Sequence, residues 1–385
     1  MVPLSVTSST FAGYDQSEWR RRPFDLSSPL TNPRHVSEIH ILVNYCSGKT
    51  EAVIALTEYV YGSIDGIGSS LGTYAVMTMD VPWNLVKDRI GGTPVSATMI
   101  TGLEHDYLDR LVKDVPKVDT VVGIGGGMAC DAAKYFSGKR NCSLVLVPTI
   151  VSVNAYATPM AAVREGGAVH YQGNANPQKV VIDYKAIQSA PKRLNTAGVG
   201  DVYSCRTALF DWKFSHDKTG ELYDEKVAAG SQHLLDKLLS NANEIKNVTE
   251  RGIRCLVEAH VETNRLQQVA GKPRPEEGSE HIFFYALEEL TGRSFVHGEV
   301  VGTGIFVVTY FQTKQEKTVA REMDSMGLMF RPRDYGLSRD EFLNTILRMK
   351  PYSKQNKMFY SILDAIEVSR QDAEKLYDML SAPTN

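Results

Sequence analysis

Two histidines, His281 and His297, stand in the phrases Glu277-Gly-Ser-Glu-His281 and Val296-His297-Gly-Glu299, and Asp201 closes the phrase Gly198-Val-Gly-Asp201. One carboxylate oxygen and two imidazole nitrogens, with a coordination position left open, suit a catalytic site for a divalent metal. The competing reading is a packed or solvated histidine on a helix, the commoner fate of an isolated imidazole. Spacing alone leaves both readings open.

A second chemical phrase lies upstream. Val121-Val-Gly-Ile-Gly125-Gly126-Gly127-Met-Ala-Cys-Asp131-Ala-Ala-Lys134 reads as a strand, a glycine turn and a helix start. Glycines let backbone N–H groups approach a diphosphate, and a helix N-terminus favours negative charge. Strand–helix turns also carry glycine for steric reasons alone. The triplet comes after several β-α units and is not the GxGxxG fingerprint. Asp131 and Lys134 are spaced to pair across one helical turn, a structural alternative to a role in the site. Asp80 ends an apolar run, where a carboxylate accepts ribose hydroxyls or caps the helix beginning near Pro82. Thr149 and Ser152 follow another buried strand, and their hydroxyls could reach a phosphate or a carboxamide.

The elements that must hold these residues fall into two textures. Up to about residue 185, β-type runs at 40–44, 74–79, 97–101, 120–124 and 143–147 alternate with helical patterns at 51–61, 83–90, 107–115 and 128–137. That alternation predicts β-α-β units and a mainly parallel sheet. Beyond Asp183 long helical patterns dominate, at 198–215, 221–243, 246–270, 278–291, 298–313, 315–325, 338–349 and 370–381. The expected fold is therefore an N-terminal Rossmann-like α/β domain followed by an all-α domain. Residues 1–185 form an arm plus the α/β domain, and residues 186–385 form the helical one. The first 37 residues, rich in Ser, Thr, Pro and Arg and carrying Arg20-Arg21-Arg22, read as a lead-in arm.

Composition narrows the partners. The 385 residues are 43% hydrophobic and 23% charged with a formal net charge of −3. Nothing in that balance points to nucleic acid. No apolar run approaches the length of a bilayer span, and the first 30 residues lack a secretory apolar region. Five scattered cysteines (46, 130, 142, 205 and 255) form no CxxC pair, as expected of reduced thiols in the cytoplasm.

Taken together, the segments resemble the superfamily of iron-containing alcohol dehydrogenases, glycerol dehydrogenases and dehydroquinate synthases, most closely its glycerol-1-phosphate dehydrogenase branch. The resemblance runs from about residue 70 to 310. It is carried by Gly125-Gly-Gly127 with Asp131-Ala-Ala-Lys134, Val147-Pro-Thr149 with Ser152, and Val181-Ile-Asp183. It continues through Ala190-Pro-Lys-Arg-Leu194, Ala197-Gly-Val-Gly-Asp201, Asp211-Trp-Lys213, Arg274-Pro-Glu-Glu-Gly-Ser-Glu-His281 and His297-Gly-Glu-Val-Val-Gly302.

The resemblance implies NAD or NADP across the N-terminal sheet and a metal held by the helical domain in the interdomain cleft. Its ligand positions fall on Asp201, His281 and His297, and the other seven histidines are expected to be structural or surface residues. Zinc is the expected ion because two His and one Asp suit it, with iron or nickel as alternatives. Asp80, Gly125, Gly126, Gly127, Asp131, Thr149 and Ser152 are the expected cofactor contacts. The implied activity is a metal-assisted dehydrogenase acting on a small polyol or its phosphate. The alternative is a dehydroquinate synthase-like lyase or cyclase that uses NAD transiently. A homo-oligomer is expected by analogy.

The stretch Ser152-Val-Asn-Ala-Tyr-Ala-Thr-Pro159 departs from the branch pattern Ser-His-Asp-Gly-x-Ala-Ser-Pro. Asn154 stands where an acidic residue helps hold the substrate hydroxyl, Val153 replaces a polar residue, and Met128 stands where many members carry Ser or Thr. Asn154 is thus a candidate catalytic-site residue whose lost charge bears on which substrate is preferred.

Overall fold

In a computed structural model the described residues are 36–43, 54–165, 168–173 and 175–382. The expected arm, with its arginine run, lies outside them. Among the described residues nine strands come first: β1 (Val36–Val43), β2 (Ile54–Tyr61), β3 (Tyr74–Thr78), β4 (Ser96–Met99), β5 (Thr120–Gly125), β6 (Ser143–Pro148), β7 (Ala161–Glu165), β8 (Ala168–Gln172) and β9 (Lys179–Ile182). Among them run the helices α1 (Asp80–Val86), α2 (His105–Asp114) and α3 (Gly127–Arg140).

Seven strands form one sheet in the order β1-β2-β9-β6-β5-β3-β4. The six from β2 to β4 run parallel, and β1 closes the edge antiparallel to β2. Every residue of β3 and of β5 is buried, as for parallel strands covered on both faces. From β3 the chain steps outward to β4, then returns across to β5 on the other side. The strand order therefore reverses between β3 and β5, where open α/β sheets bind ligands beyond their strand ends.

After β9 the described chain is helical. It begins with α4 (Tyr184–Ser189), α5 (Lys192–Thr196), α6 (Val199–Tyr203), α7 (Cys205–Thr219), α8 (Glu225–Ser240), α9 (Ala242–Lys246) and α10 (Glu250–Ala270). It ends with α11 (Ser279–Thr291), α12 (His297–Gln312), α13 (Glu316–Ser325), α14 (Arg339–Gln355), α15 (Ile362–Ala365) and α16 (Arg370–Ser381). Helix starts are written in the sequence: the Asp224, Thr249 and Ser369 side chains accept first-turn N–H groups of α8, α10 and α16. The described residues pack as one compact unit. A continuous apolar core joins Leu146 of the sheet to Val199, Val257 and Val300 of the helices. No helix of the described residues is long and apolar enough to cross a membrane.

One expectation is corrected, and one element was missed. The pattern at 51–61 is strand from Ile54, not helix: Thr57, Tyr59 and Tyr61 are buried while Glu58 and Val60 between them are half-exposed. That alternation has period two, and the aromatic and β-branched content suits a pleated surface. The β7–β8 hairpin was not anticipated, although Gly166-Gly167 joins two short runs in the sequence, a hairpin signal.

Candidate metal centre and cofactor turn

Asp201 lies on the short α6, His281 in the first turn of α11, and His297 at the first position of α12. One ligand atom from each comes within 4.8 Å of the other two. The glycines beside these candidate ligands explain how. A Cβ on Gly200 would meet Gly298 O at 2.1 Å, and one on Gly298 would meet Ala197 O at 1.8 Å. Backbone therefore touches backbone where α6 crosses α12. The neighbouring side chains follow, with His297 Nε2 3.0 Å from Asp201 Oδ1. Arg193 of α5 fixes the start of α12 by gripping the buried Glu299, with Nη2 donating to Oε2 at 2.6 Å.

The start of α11 is held from α7. Asp211 Oδ2 accepts the Ser279 N–H at 2.8 Å and the Ser279 hydroxyl at 2.6 Å, while Oδ1 accepts the Ile362 N–H at 2.9 Å. Burial, opposed by the bond from Ser279, raises the Asp211 carboxyl to about 6. Glu280 orients the histidine beside it: Oε1 lies 2.8 Å from His281 Nδ1, and Oε2 accepts the Thr207 hydroxyl at 2.7 Å. With Nδ1 so engaged, Nε2 is the atom left for a metal. Without a metal, burial disfavours the charged imidazole of His281, but the bond to Glu280 and the charges of Glu277, Glu280 and Asp201 outweigh it and raise its pKa to about 9.

The donor set fits a divalent cation. Asp201 is 2% exposed, and its Oδ1 is a buried oxygen with no hydrogen-bond partner despite the nearby His297 nitrogen. An orphaned buried oxygen of this kind costs free energy unless a cation or donor takes it up. Desolvation works against the Asp201 charge, yet the facing His297, His260 and His281 hold its carboxyl below the usual value. The three candidate ligands open onto a cavity of about 60 Å³, whose other walls are Val153, Asn154, Tyr171, Glu276 and Glu277.

The cofactor candidates gather at the sheet's reversal. Gly125 has φ +148°, and a Cβ there would sit 2.9 Å from Ala129 Cβ, so the turn requires glycine. Gly126 caps α3 with no side chain over the first N–H groups, which leaves them available to a phosphate. The Thr149 N–H donates to Gly125 O at 3.0 Å and ties the two strand ends together. Ser152 is half-buried on the loop that follows. Asp80 is exposed inside the first turn of α1, with Met79 rather than Asp80 at the cap position. Asp131 is buried and paired with Lys134 at 2.8 Å, and the lysine also donates to Thr158 O at 3.2 Å and to Met160 O. This pair also ties α3 to the chain before β7.

Residues 153 and 154 join the two regions. Val153 Cγ1 lies 3.0 Å from where a Cβ on Gly127 would be. The Asn154 N–H donates to Asp201 Oδ2 at 3.3 Å, and its side-chain amide faces Glu276 at 3.4 and 3.5 Å. His260 is structural, as expected. Its Nε2 lies 3.0 Å from Gly198 O and its Nδ1 2.7 Å from the Tyr156 hydroxyl, so Nε2 carries the proton and Nδ1 accepts. Glu276, Glu277, Glu280 and Tyr171 were not singled out from the sequence. The adjacent acids before Gly278 were the available signal for the first two.

The fold and site define a class. The family profile described as iron-containing alcohol dehydrogenase matches residues 65–191. Among solved structures, a probable glycerol dehydrogenase from Sinorhizobium meliloti 1021 superposes with a TM-score of 0.65 at 19% identity, covering 84% of this chain and 95% of that one. Glycerol dehydrogenase from Schizosaccharomyces pombe gives 0.63 at 19%, covering 84% and 88%. The glycerol-1-phosphate dehydrogenase [NAD(P)+] of Thermoplasma acidophilum is 30% identical over 307 residues, 79% of this chain and 86% of that protein. That of Hyperthermus butylicus is 31% identical over 332 residues, 84% and 93%. The chain belongs to the glycerol-1-phosphate dehydrogenase family.

Proposed function

We propose that the protein is an NAD(P)-dependent, divalent-metal-assisted dehydrogenase acting on a small polyol or its phosphate, of the glycerol 1-phosphate and dihydroxyacetone phosphate type. The observation that carries this reading is the convergence of Asp201, His281 and His297 on one cavity, one loop away from the glycine turn. In this reading the three side chains hold the metal. A bound divalent ion supplies Lewis acidity that polarises an alcohol or carbonyl C–O bond. Gly125, Gly126 and Gly127 with the start of α3 receive the diphosphate, while Thr149 and Ser152 position the nicotinamide for hydride transfer. Asp80, at the reversal of the sheet, receives the adenosine ribose. Asn154 fixes Asp201 through its backbone and faces the substrate side of the cavity.

The domain boundary falls near residue 185, with the site in the cleft between the two parts. The protein is a cytoplasmic homo-oligomer, supported by its unpaired described cysteines and by analogy. Nicotinamide absorbance tests the reading directly, with phosphorylated and free polyols and ketones and with added zinc, iron or nickel. Metal-dependent net oxidation or reduction of the nucleotide is expected. Substrate consumption with no net change in nucleotide absorbance points instead to a lyase or cyclase and overturns the proposal.

A further inference from the structure

Tyr171 is the one exposed side chain among the described residues that line the metal cavity. It is 53% exposed, whereas Asp201 and His281 on the same cavity are 2% and 3% exposed. Tyr171 therefore stands at the mouth and the candidate ligands at the floor. It is also the only lining residue carried by the β7–β8 hairpin. In an antiparallel pair, opposed residues share a face and the faces alternate along each strand. Tyr171 opposes Ala162, and Arg164 lies two residues further along β7, so these three share one face. The other face buries Ala161 and Val163 in the core. Arg164 shows where the first face looks: its Nη2 pairs with Glu288 Oε2 at 3.2 Å, on the helix α11 that carries His281. The Ala175 N–H donates to Pro159 O at 3.0 Å and closes the base of the hairpin. The hairpin is thus held at its base and across to α11, and it carries the phenol to the cavity.

A three-carbon substrate fixed at one end only can still turn about that contact. A second anchor decides which face of the reacting carbon meets the nicotinamide, and small misplacements there cost rate. The Tyr171 hydroxyl is suited to that task. A phenol keeps its proton at neutral pH, and this one has no hydrogen-bond partner among the described residues. Resting on the dehydrogenase reading above, we infer that Tyr171 is the second anchor of the substrate. Its hydroxyl donates to the oxygen that the substrate carries farthest from Asp201, His281 and His297, a terminal hydroxyl or a phosphoryl oxygen. In dihydroxyacetone phosphate the phosphorus lies three bonds from the reacting carbon, so the phosphoryl group extends towards the mouth. There water still reaches the dianion, which spares the cost of burying its charge. Tyr171 is in this way a substrate-contacting residue supplied by the hairpin to a site whose metal ligands come from helices.

The test compares the zinc-loaded full chain with its Tyr171→Phe variant, using NADH or NADPH and either dihydroxyacetone phosphate or dihydroxyacetone. The substitution removes one hydroxyl from an exposed position, so the circular dichroism spectrum and metal content should be unchanged. For the better substrate kcat/KM is expected to fall about tenfold, through a higher KM with kcat altered less than about threefold. A larger fall for the ester assigns the bond to a phosphoryl oxygen. An equal or larger fall for the free ketone assigns it to a terminal hydroxyl. Constants within about twofold of the native chain for both compounds, a fall confined to kcat, or loss of metal overturns the inference and leaves the dehydrogenase reading intact. No turnover of either compound by the native chain overturns the dehydrogenase reading. Calorimetry with glycerol 1-phosphate and glycerol then decides the inference. Binding about tenfold weaker in Tyr171→Phe sustains it, whereas equal affinities, or no binding to either chain, overturn it.

Discussion

At the scale of single residues, the ligands and the groups that aim them should separate in experiment. His281→Ala, His297→Ala or Asp201→Ala is expected to lose bound metal and to lower activity by orders of magnitude, with the circular dichroism spectrum retained. Near-normal turnover in any one of them would contradict its role as a ligand. Glu280→Gln keeps the size of the side chain but weakens the acceptor at His281 Nδ1. Metal affinity should fall about 10- to 100-fold, measured by competition with a chromophoric chelator. The same imidazole sets a pH dependence. His281, raised to about 9 without metal, still carries its proton at neutral pH, and a metal must displace it. Affinity should therefore climb by about tenfold per pH unit from neutrality and level off above about pH 9. A flat profile across that range counts against the raised pKa. Asp201, His281 and His297 were legible as candidates because each sits in a distinctive phrase. Glu276 and Glu277 were not, because adjacent acids before a glycine look the same whether they face solvent or a cavity.

At the scale of elements, the distances in the site depend on how helices cross. Gly298→Ala puts a methyl against the Ala197 carbonyl, so α12 must retreat from α6 and take His297 with it. A displacement near 1 Å is enough to cost about a hundredfold in activity, and a variant crystal structure would show the shift. Asp211→Ala removes the partner of two backbone N–H groups, Ser279 at the start of α11 and Ile362 at the start of α15. The expected cost is roughly 3 kcal/mol, read as a Tm lowered by several degrees. An unchanged Tm would mean that water replaces the carboxylate. Helical periodicity gave most of the C-terminal elements closely, because amphipathic faces and caps are local signals. At 51–61 the spacing of apolar residues also satisfies a helix, and only pairing with β1 and β9 selects the strand. That pairing is non-local, so no window of sequence contains it.

At the scale of the whole molecule, a sheet that reverses between β3 and β5 brings the glycine turn and Asp80 to one edge, and the helices bring the ligands beside it. The alternation of strands and helices made this architecture legible, whereas the meeting of α6, α11 and α12 depends on backbone contacts at glycines that no pattern announces. One connection has thermodynamic weight: residues 153 and 154 touch Gly127 on one side and Asp201 on the other. Where occupancy at one end alters the other through this link, linkage requires the effect to be mutual. Whatever factor the metal adds to the affinity for the nucleotide, the nucleotide must add to the affinity for the metal. Metal and nucleotide occupancy would then form one coupled equilibrium, in which the amount of each partner shifts the saturation of the other.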